Sequence, residues 1–140
     1  MQLLPLPRAG AAILQAKPAK LLKRNGIVMS CLFCEIAAGN IPSTKVYEDE
    51  LVYAFRDIAP QAPVHVLIIP KKHIESAQAL TAEDDALLCH MFACARKIAE
   101  SEGVAASGYR LITNVGDDAG QSVHHLHLHL IGGKQLKWDN

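Results

Sequence analysis

The segment His125-Leu-His-Leu-His-Leu-Ile131 constrains this chain more than any other stretch. Side chains alternate faces along a strand, so His125, His127 and His129 fall on one side and Leu126, Leu128 and Leu130 on the other. The leucine face must be buried against a core, and the strand then holds three imidazoles in a rigid row. Rigid placement suits catalysis. Imidazoles in such a row either coordinate a metal or serve as nucleophile and proton-transfer groups. A cupin-like metal site adds a carboxylate a few residues downstream, and no carboxylate follows His129 before Asp139. The preceding Gly116-Asp-Asp-Ala-Gly-Gln-Ser122 offers backbone N–H groups, an amide and a hydroxyl, which suit the oxygens of a phosphate. Phosphorus chemistry is favoured.

The rest of the pattern predicts one α+β domain. Leu51 to Phe55 reads as a strand with Leu51, Tyr53 and Phe55 on one face, and Val64 to Ile69, bounded by Pro63 and Pro70, as a buried strand beside it. The proline-rich Asp57 to Pro63 between them is a shaped loop. From Thr81 the period changes, with Leu87, Leu88, Met91, Phe92, Ala95 and Ile98 forming one helical face. Acidic Glu83, Asp84 and Asp85 open this helix, Arg96 and Lys97 lie toward its end, and Gly103 stops it. Tyr109 to Asn114 and His125 to Ile131 complete an antiparallel sheet on which the helix packs. Cys89 and Cys94 read as small buried hydrophobes of the helix, His90 as a structural side chain, and Lys71-Lys72 as a solvated corner.

Charge and composition exclude other classes. The 14 basic and 14 acidic residues cancel, so the chain lacks the overall positive field that coats nucleic acid. Arg8, Lys17, Lys20, Lys23 and Arg24 all precede the first acidic residue, Glu35, which leaves the remainder net acidic. The opening 28 residues hold no apolar run longer than AGAAIL, too short to span a bilayer, and lack the order of a secretory signal or the Arg- and Ser-rich composition of a transit peptide. They read as a disordered extension or the product of an upstream start, with the domain proper at 29–140. Four cysteines are too few for a disulfide scaffold, and Cys31-Leu-Phe-Cys34 reads as a metal or redox pair in a reducing, cytoplasmic setting.

The histidine segment, together with FRDIAPQAPVHVLIIPKKHI at 55–74, YRLITNVGDDAGQS at 109–122 and the terminal LIGGKQLKW, resembles the histidine-triad (HIT) superfamily of nucleotide hydrolases and transferases over nearly all of residues 31–138. Within it the sequence is more similar to the Hint branch of purine nucleoside phosphoramidases than to the diadenosine polyphosphate hydrolases. The resemblance implies an α+β fold with an antiparallel sheet, one long helix and a short N-terminal helix. It also implies cleavage of the P–N bond of purine nucleoside 5'-phosphoramidates, including aminoacyl- or lysyl-AMP adducts. His127 matches the nucleophile that forms a nucleotidyl-histidine. His129 and Ser122 match groups that contact the α-phosphate and help proton transfer, and His125 and His65 match supporting histidines. Asp57 matches the carboxylate that binds the ribose hydroxyls. Phe33, Phe55 and Ile58 match the purine walls, and Asn114, Gly120 and Gln121 lie on the phosphate side.

Plainer roles exist for several of these. Phe33, Phe55 and Ile58 also suit a core, and Asp57 also suits a turn. The resemblance further implies a homodimer, a C-terminal tail reaching toward the partner's site, and no cofactor required for catalysis. In some relatives the cysteine pair joins histidines at positions matched by His73 and His125 to hold a structural zinc; the alternative is a pair of reduced cysteines. Other readings of the whole chain are a dinucleotide polyphosphate hydrolase and a nucleotide- or zinc-binding module with little turnover.

Overall fold

The computed structural model describes the backbone of residues 22–24 and 27–29 and all of residues 31–139. Strands β1 (Leu22–Arg24) and β2 (Ile27–Met29) pair antiparallel at the end of the segment 1–28 read as an extension, and the other residues of that segment lie outside those described. A short helix α1 (Leu32–Ala37) follows, then β3 (Lys45–Glu48), β4 (Val52–Arg56) and β5 (Val64–Pro70). The long helix α2 (Asp85–Ser101) leads to β6 (Tyr109–Ile112) and β7 (Leu128–Gly132). Strands β3 to β7 form one antiparallel sheet in the order β3-β4-β5-β7-β6, so the α+β architecture with one long and one short helix matches the expectation.

Both faces of this sheet are covered, and the register sorts the side chains between them. Opposed residues in antiparallel strands point to the same face. Val66 opposes Leu130 and Ile68 opposes Leu128, and these join Val52 and Ala54 beneath Met91, Cys94, Ala95, Ile98 and Ala99 of α2. On the opposite face Phe55 opposes Leu67 and Tyr53 opposes Ile69, and these pack with Cys31, Phe33, Cys34 and Ile36 of the α1 region. Strands buried on both sides lose the clean alternation of a one-sided sheet, which is why β4 reads as four buried residues in a row. Leu51 accordingly precedes the strand and joins the α2 face, away from Tyr53 and Phe55.

Helix α2 enters through a single turn of 3-10 helix (Ala82–Asp84). Asp84 reaches back to accept the Thr81 N–H at 3.0 Å, and its other carboxylate oxygen lies 2.6 Å from Lys72 Nζ. The acidic opening of the helix is therefore partly a buried tether, and Lys72 is a partner in it. Lys71 likewise sits 2.8 Å from Glu48, so the Lys71-Lys72 pair ties strands and helix together where a merely solvated corner was expected. One member of the predicted apolar stripe differs, Phe92 at 45% exposed, and of the two cysteines read as buried hydrophobes Cys94 is fully buried while Cys89 is exposed. Helical spacing fixes a stripe, but the width of the stripe that the sheet covers depends on the packing.

Candidate active site

The histidine segment is only partly a strand. β7 begins at Leu128, so His125 and His127 lie in the irregular approach to it, while Leu126 still enters the α2-side core. Leaving the ladder lets each ring take a different direction. His125 is fully buried and His127 nearly so, and the His127 and His129 ring centroids are 5.0 Å apart.

Backbone carbonyls set the tautomers of the first two rings. A carbonyl oxygen can only accept, so the His127 Nδ1 lying 2.7 Å from the His125 carbonyl must carry the hydrogen. In the neutral ring the lone pair is then on Nε2. Phe33 meets this ring edge-on at a centroid distance of 5.1 Å and fixes its plane. By the same reasoning His125 Nε2 donates to the Pro70 carbonyl at 2.8 Å, which turns its Nδ1 lone pair inward. Burial first, then the neighbouring rings of His73 and His127, lower its pKa to about 4 against the Pro70 contact, so it is neutral at neutral pH.

His129 takes its orientation from the sheet. It opposes Leu67 on β5, and His65, two residues back on the same face, is its diagonal neighbour. His65 Nε2 and His129 Nδ1 are 2.9 Å apart, and the Gln61 N–H donates to His65 Nδ1 at 3.1 Å. A ring that accepts at Nδ1 carries its hydrogen on Nε2, so His65 donates to His129, and the remaining N–H of His129 is on its Nε2. Burial lowers the pKa of both rings, that of His129 to about 4 with help from His127 and His65 and against the Asp57 carboxylate. With the His127 ring in its neutral form, the site presents one lone pair, on His127 Nε2, beside one N–H, on His129. That combination can attack an electrophilic centre while donating to its oxygens.

The flanking residues divide by role. Asp57 is half-buried, with one oxygen accepting the Ala59 N–H at 2.8 Å and the other 3.4 Å from His65 Nε2, so it shapes its loop and also steadies His65. Phe33 and Phe55 are buried and stack edge to face at 5.5 Å as part of the α1-side core. Ile58 is wholly exposed, so this structure offers no closed purine wall from that side chain. Ser122 is exposed, Asn114 half-buried, and Gly120 holds a left-handed φ of 76° that ends the turn Asp117–Ala119. The side chain of Gln121, a residue expected on the phosphate side, is engaged with its own loop. Its amide donates to the Glu75 and Val123 carbonyls and accepts the Gly116 N–H at 2.9 Å, which leaves it as the brace of the loop. The Gln61 backbone contact with His65 escaped the sequence reading, because nothing in residue type marks a main-chain donor.

A second constellation adjoins the first. Cys31 Sγ and Cys34 Sγ lie 3.3 and 3.4 Å from His125 Nδ1, and His73 Nδ1 lies 3.3 Å from Cys34 Sγ and 3.2 Å from His125 Nδ1. A tetrahedron around a metal at about 2.3 Å from sulfur and about 2.05 Å from nitrogen has sulfur–nitrogen edges of about 3.5 Å and nitrogen–nitrogen edges of about 3.3 Å. The three sulfur–nitrogen distances and the nitrogen–nitrogen distance lie close to those edges, all four donor atoms lie within 4.8 Å of one another, and the Pro70 carbonyl already fixes His125 in the ligating tautomer.

The sequence and the fold are similar to those of known proteins. A model of the HIT domain matches residues 38–136. A purine nucleoside phosphoramidase of Escherichia coli is 50% identical over 105 residues, which cover 75% of this chain and 88% of that protein. The crystal structure of a HIT family hydrolase from Legionella pneumophila superposes with a TM-score of 0.77 at 52% identity, covering 78% of this chain and 97% of the other. A HIT family hydrolase from Clostridium thermocellum gives a TM-score of 0.75 at 50% identity, covering 76% and 93% of the two chains. With the domain model spanning most of the sequence, and half of the aligned residues identical in relatives covered almost end to end, the chain belongs to the HIT family of hydrolases.

Proposed function

We propose that this enzyme hydrolyses the P–N bond of purine nucleoside 5'-phosphoramidates, with His127 as nucleophile. The observation that carries the reading is the His127 Nδ1 contact with the His125 carbonyl, which leaves Nε2 as the attacking lone pair. Nε2 bonds to the α-phosphorus, the P–N bond breaks, and the amine departs with that electron pair and takes up a proton. Ser122 and His129 serve the phosphate oxygens and the proton transfer, with the His129 Nε2–H held in place by His65. Water then attacks the nucleotidyl-histidine, releasing the nucleoside monophosphate and restoring the ring. Splitting one displacement in two lowers the largest barrier. Asp57 binds the ribose hydroxyls, and Phe33 and Phe55 back the base. The 50% identity to a named phosphoramidase supports this substrate class over dinucleotide polyphosphates.

Cys31, Cys34, His73 and His125 are assigned a structural zinc, which would pin α1 to the β5 end of the sheet and leave His127 outside the coordination sphere. Four nitrogen and sulfur donors close that sphere, so the ion takes no substrate. Thiolate ligands need a reducing compartment, which supports a cytoplasmic location. No helix among the described residues is long and apolar enough to cross a membrane. A homodimer is supported by β6, an edge strand with one open side, and by Phe92 facing solvent from α2.

The test is turnover of adenosine 5'-phosphoramidate by the full chain, by His127→Ala and by a chelator-treated sample. AMP release is expected from wild type, to fall by at least about a thousandfold in the variant, and to survive chelation. Equal rates in wild type and variant would overturn the nucleophile, while turnover of a diadenosine polyphosphate alone would overturn the substrate class.

A further inference from the structure

Beyond the histidine site, a separate cluster lies on the other face of the sheet. His90 and Cys94 stand four residues apart on α2, so both project from one side of the helix toward the β3–β4 turn, where Asp49 sits. His90 Nε2 is 2.6 Å from Asp49 Oδ2, Cys94 Sγ is 3.5 Å from that same oxygen, and Sγ is 3.6 Å from Nε2. Three donor atoms of three chemical types therefore converge on one point. The Tyr47 hydroxyl also points there, 2.8 Å from Asp49 Oδ2.

Two features set this cluster apart from an ordinary polar network. The first is rigidity. Asp49 Oδ1 accepts the N–H groups of Leu51 and Val52, both at 2.8 Å, which fixes the carboxylate and leaves Oδ2 for the cluster. Every polar contact of His90 runs through Nε2, since its Nδ1 is buried without a partner. The second is spacing. The two edges to sulfur, 3.5 and 3.6 Å, match the about 3.5 Å edges of a tetrahedral metal site with one thiolate. The oxygen–nitrogen edge is a hydrogen bond that would open to about 3.3 Å around an ion.

A nucleophilic triad does not suit the same atoms. Cys94 is fully buried, and its sulfur and the Asp49 oxygen meet the same ring nitrogen, so His90 cannot relay a proton from one to the other through its two nitrogens. A cation suits them. One carboxylate, one thiolate and one neutral imidazole balance a divalent charge, and the oxygen, nitrogen and sulfur mixture selects a borderline-soft ion of the zinc class. The side chains of His90 and Asp49 are 17% and 24% exposed, which provides an entry path that buried Cys94 lacks. We propose that Asp49, His90 and Cys94 form a second divalent-metal site of the zinc class, with its fourth position filled by Tyr47 or water. Such an ion would clamp α2 to the β3–β4 turn, on the sheet face opposite His127.

Cobalt(II) is the probe. The full chain and each variant are equilibrated with the metal, freed of loosely held ion, and read for cobalt per chain and for sulfur-to-cobalt charge-transfer absorption. Asp49→Asn retains the acceptor for Leu51 and Val52, and His90→Ala alters a part-exposed side chain, so both should keep the native circular dichroism; Cys94→Ala is the third variant. Each is expected to hold one cobalt fewer than wild type and to weaken binding at this site by more than about tenfold. The Cys31→Ser, Cys34→Ser double variant is expected to retain one cobalt with single-thiolate absorption. Cobalt content equal to wild type in natively folded Asp49→Asn and His90→Ala would overturn the site, whatever the behaviour of the other variants.

Discussion

At the residue scale, the chemistry depends on which nitrogen of each ring holds its hydrogen, and main-chain groups make that choice. The His125 and Pro70 carbonyls and the Gln61 N–H each fix one tautomer. The chain of donors from Gln61 through His65 to His129 works only while both rings are neutral, because a protonated His129 could not accept at Nδ1. This yields a pH prediction whose sign follows from the shift. His129 titrates at about 4 in the folded chain against an ordinary 6.5, so between those values the unfolded chain binds the extra proton. Its contribution to stability is complete above the ordinary value and is lost as pH falls toward the folded one. Urea midpoints measured across that range should fall with decreasing pH, and His129→Asn should flatten part of the fall. A profile in His129→Asn identical to wild type would contradict the assignment.

At the scale of elements, the site stands on a strand pair, a loop and a helix. The β5–β7 register puts His65 and His129 on one face, and a slip of one residue would send His129 into the α2-side core. The loop that precedes the histidines is held by Gln121, whose buried amide satisfies Gly116, Glu75 and Val123 together. Gln121→Ala would take the side-chain acceptor from the Gly116 N–H and a donor from the Glu75 carbonyl, while the Val123 carbonyl keeps the His125 N–H, and is expected to cost about 1–3 kcal/mol, read as a lowered urea midpoint. Exposed Ser122 next to it should tolerate replacement by Ala in the same measurement. Helix α2 contributes by packing, since Met91, Cys94, Ala95, Ile98 and Ala99 back the leucine side of the strand that carries His129.

At the scale of the whole molecule, the sheet separates two jobs. One face, under α1, holds His65, His127, His129 and the cysteine pair, while the other, under α2, holds the larger aliphatic core and the Asp49, His90 and Cys94 cluster. What remains outside is informative too. Phe92 is 45% exposed and Trp138 94% exposed, and Arg110 ties the tail back by donating to the Lys137 carbonyl at 2.8 Å. If a second copy covers α2, Phe92→Glu should weaken dimerisation by about tenfold or more, the equivalent of burying one aromatic side chain. Sedimentation velocity across a dilution series measures it, and an unchanged association constant would remove α2 from the interface.

The sequence by itself determined the long helix, four of the five strands of the main sheet and the residue types able to carry the chemistry, because local periodicity and side-chain type are written directly in it; the edge strand β3, half-exposed and without apolar alternation, left no such mark. His125, His127, His129, His65 and the set Cys31, Cys34, His73 and His125 were all legible that way, the last from a spaced pair and a family likeness. Tertiary structure decided everything that depends on a partner distant along the chain. It put Gln121 into a brace, left Ile58 in solvent, paired Lys72 with Asp84, exposed Cys89 and brought Asp49 to His90 and Cys94. It also chose the tautomers, because a ring nitrogen's hydrogen is assigned by whichever carbonyl or N–H the fold brings against it.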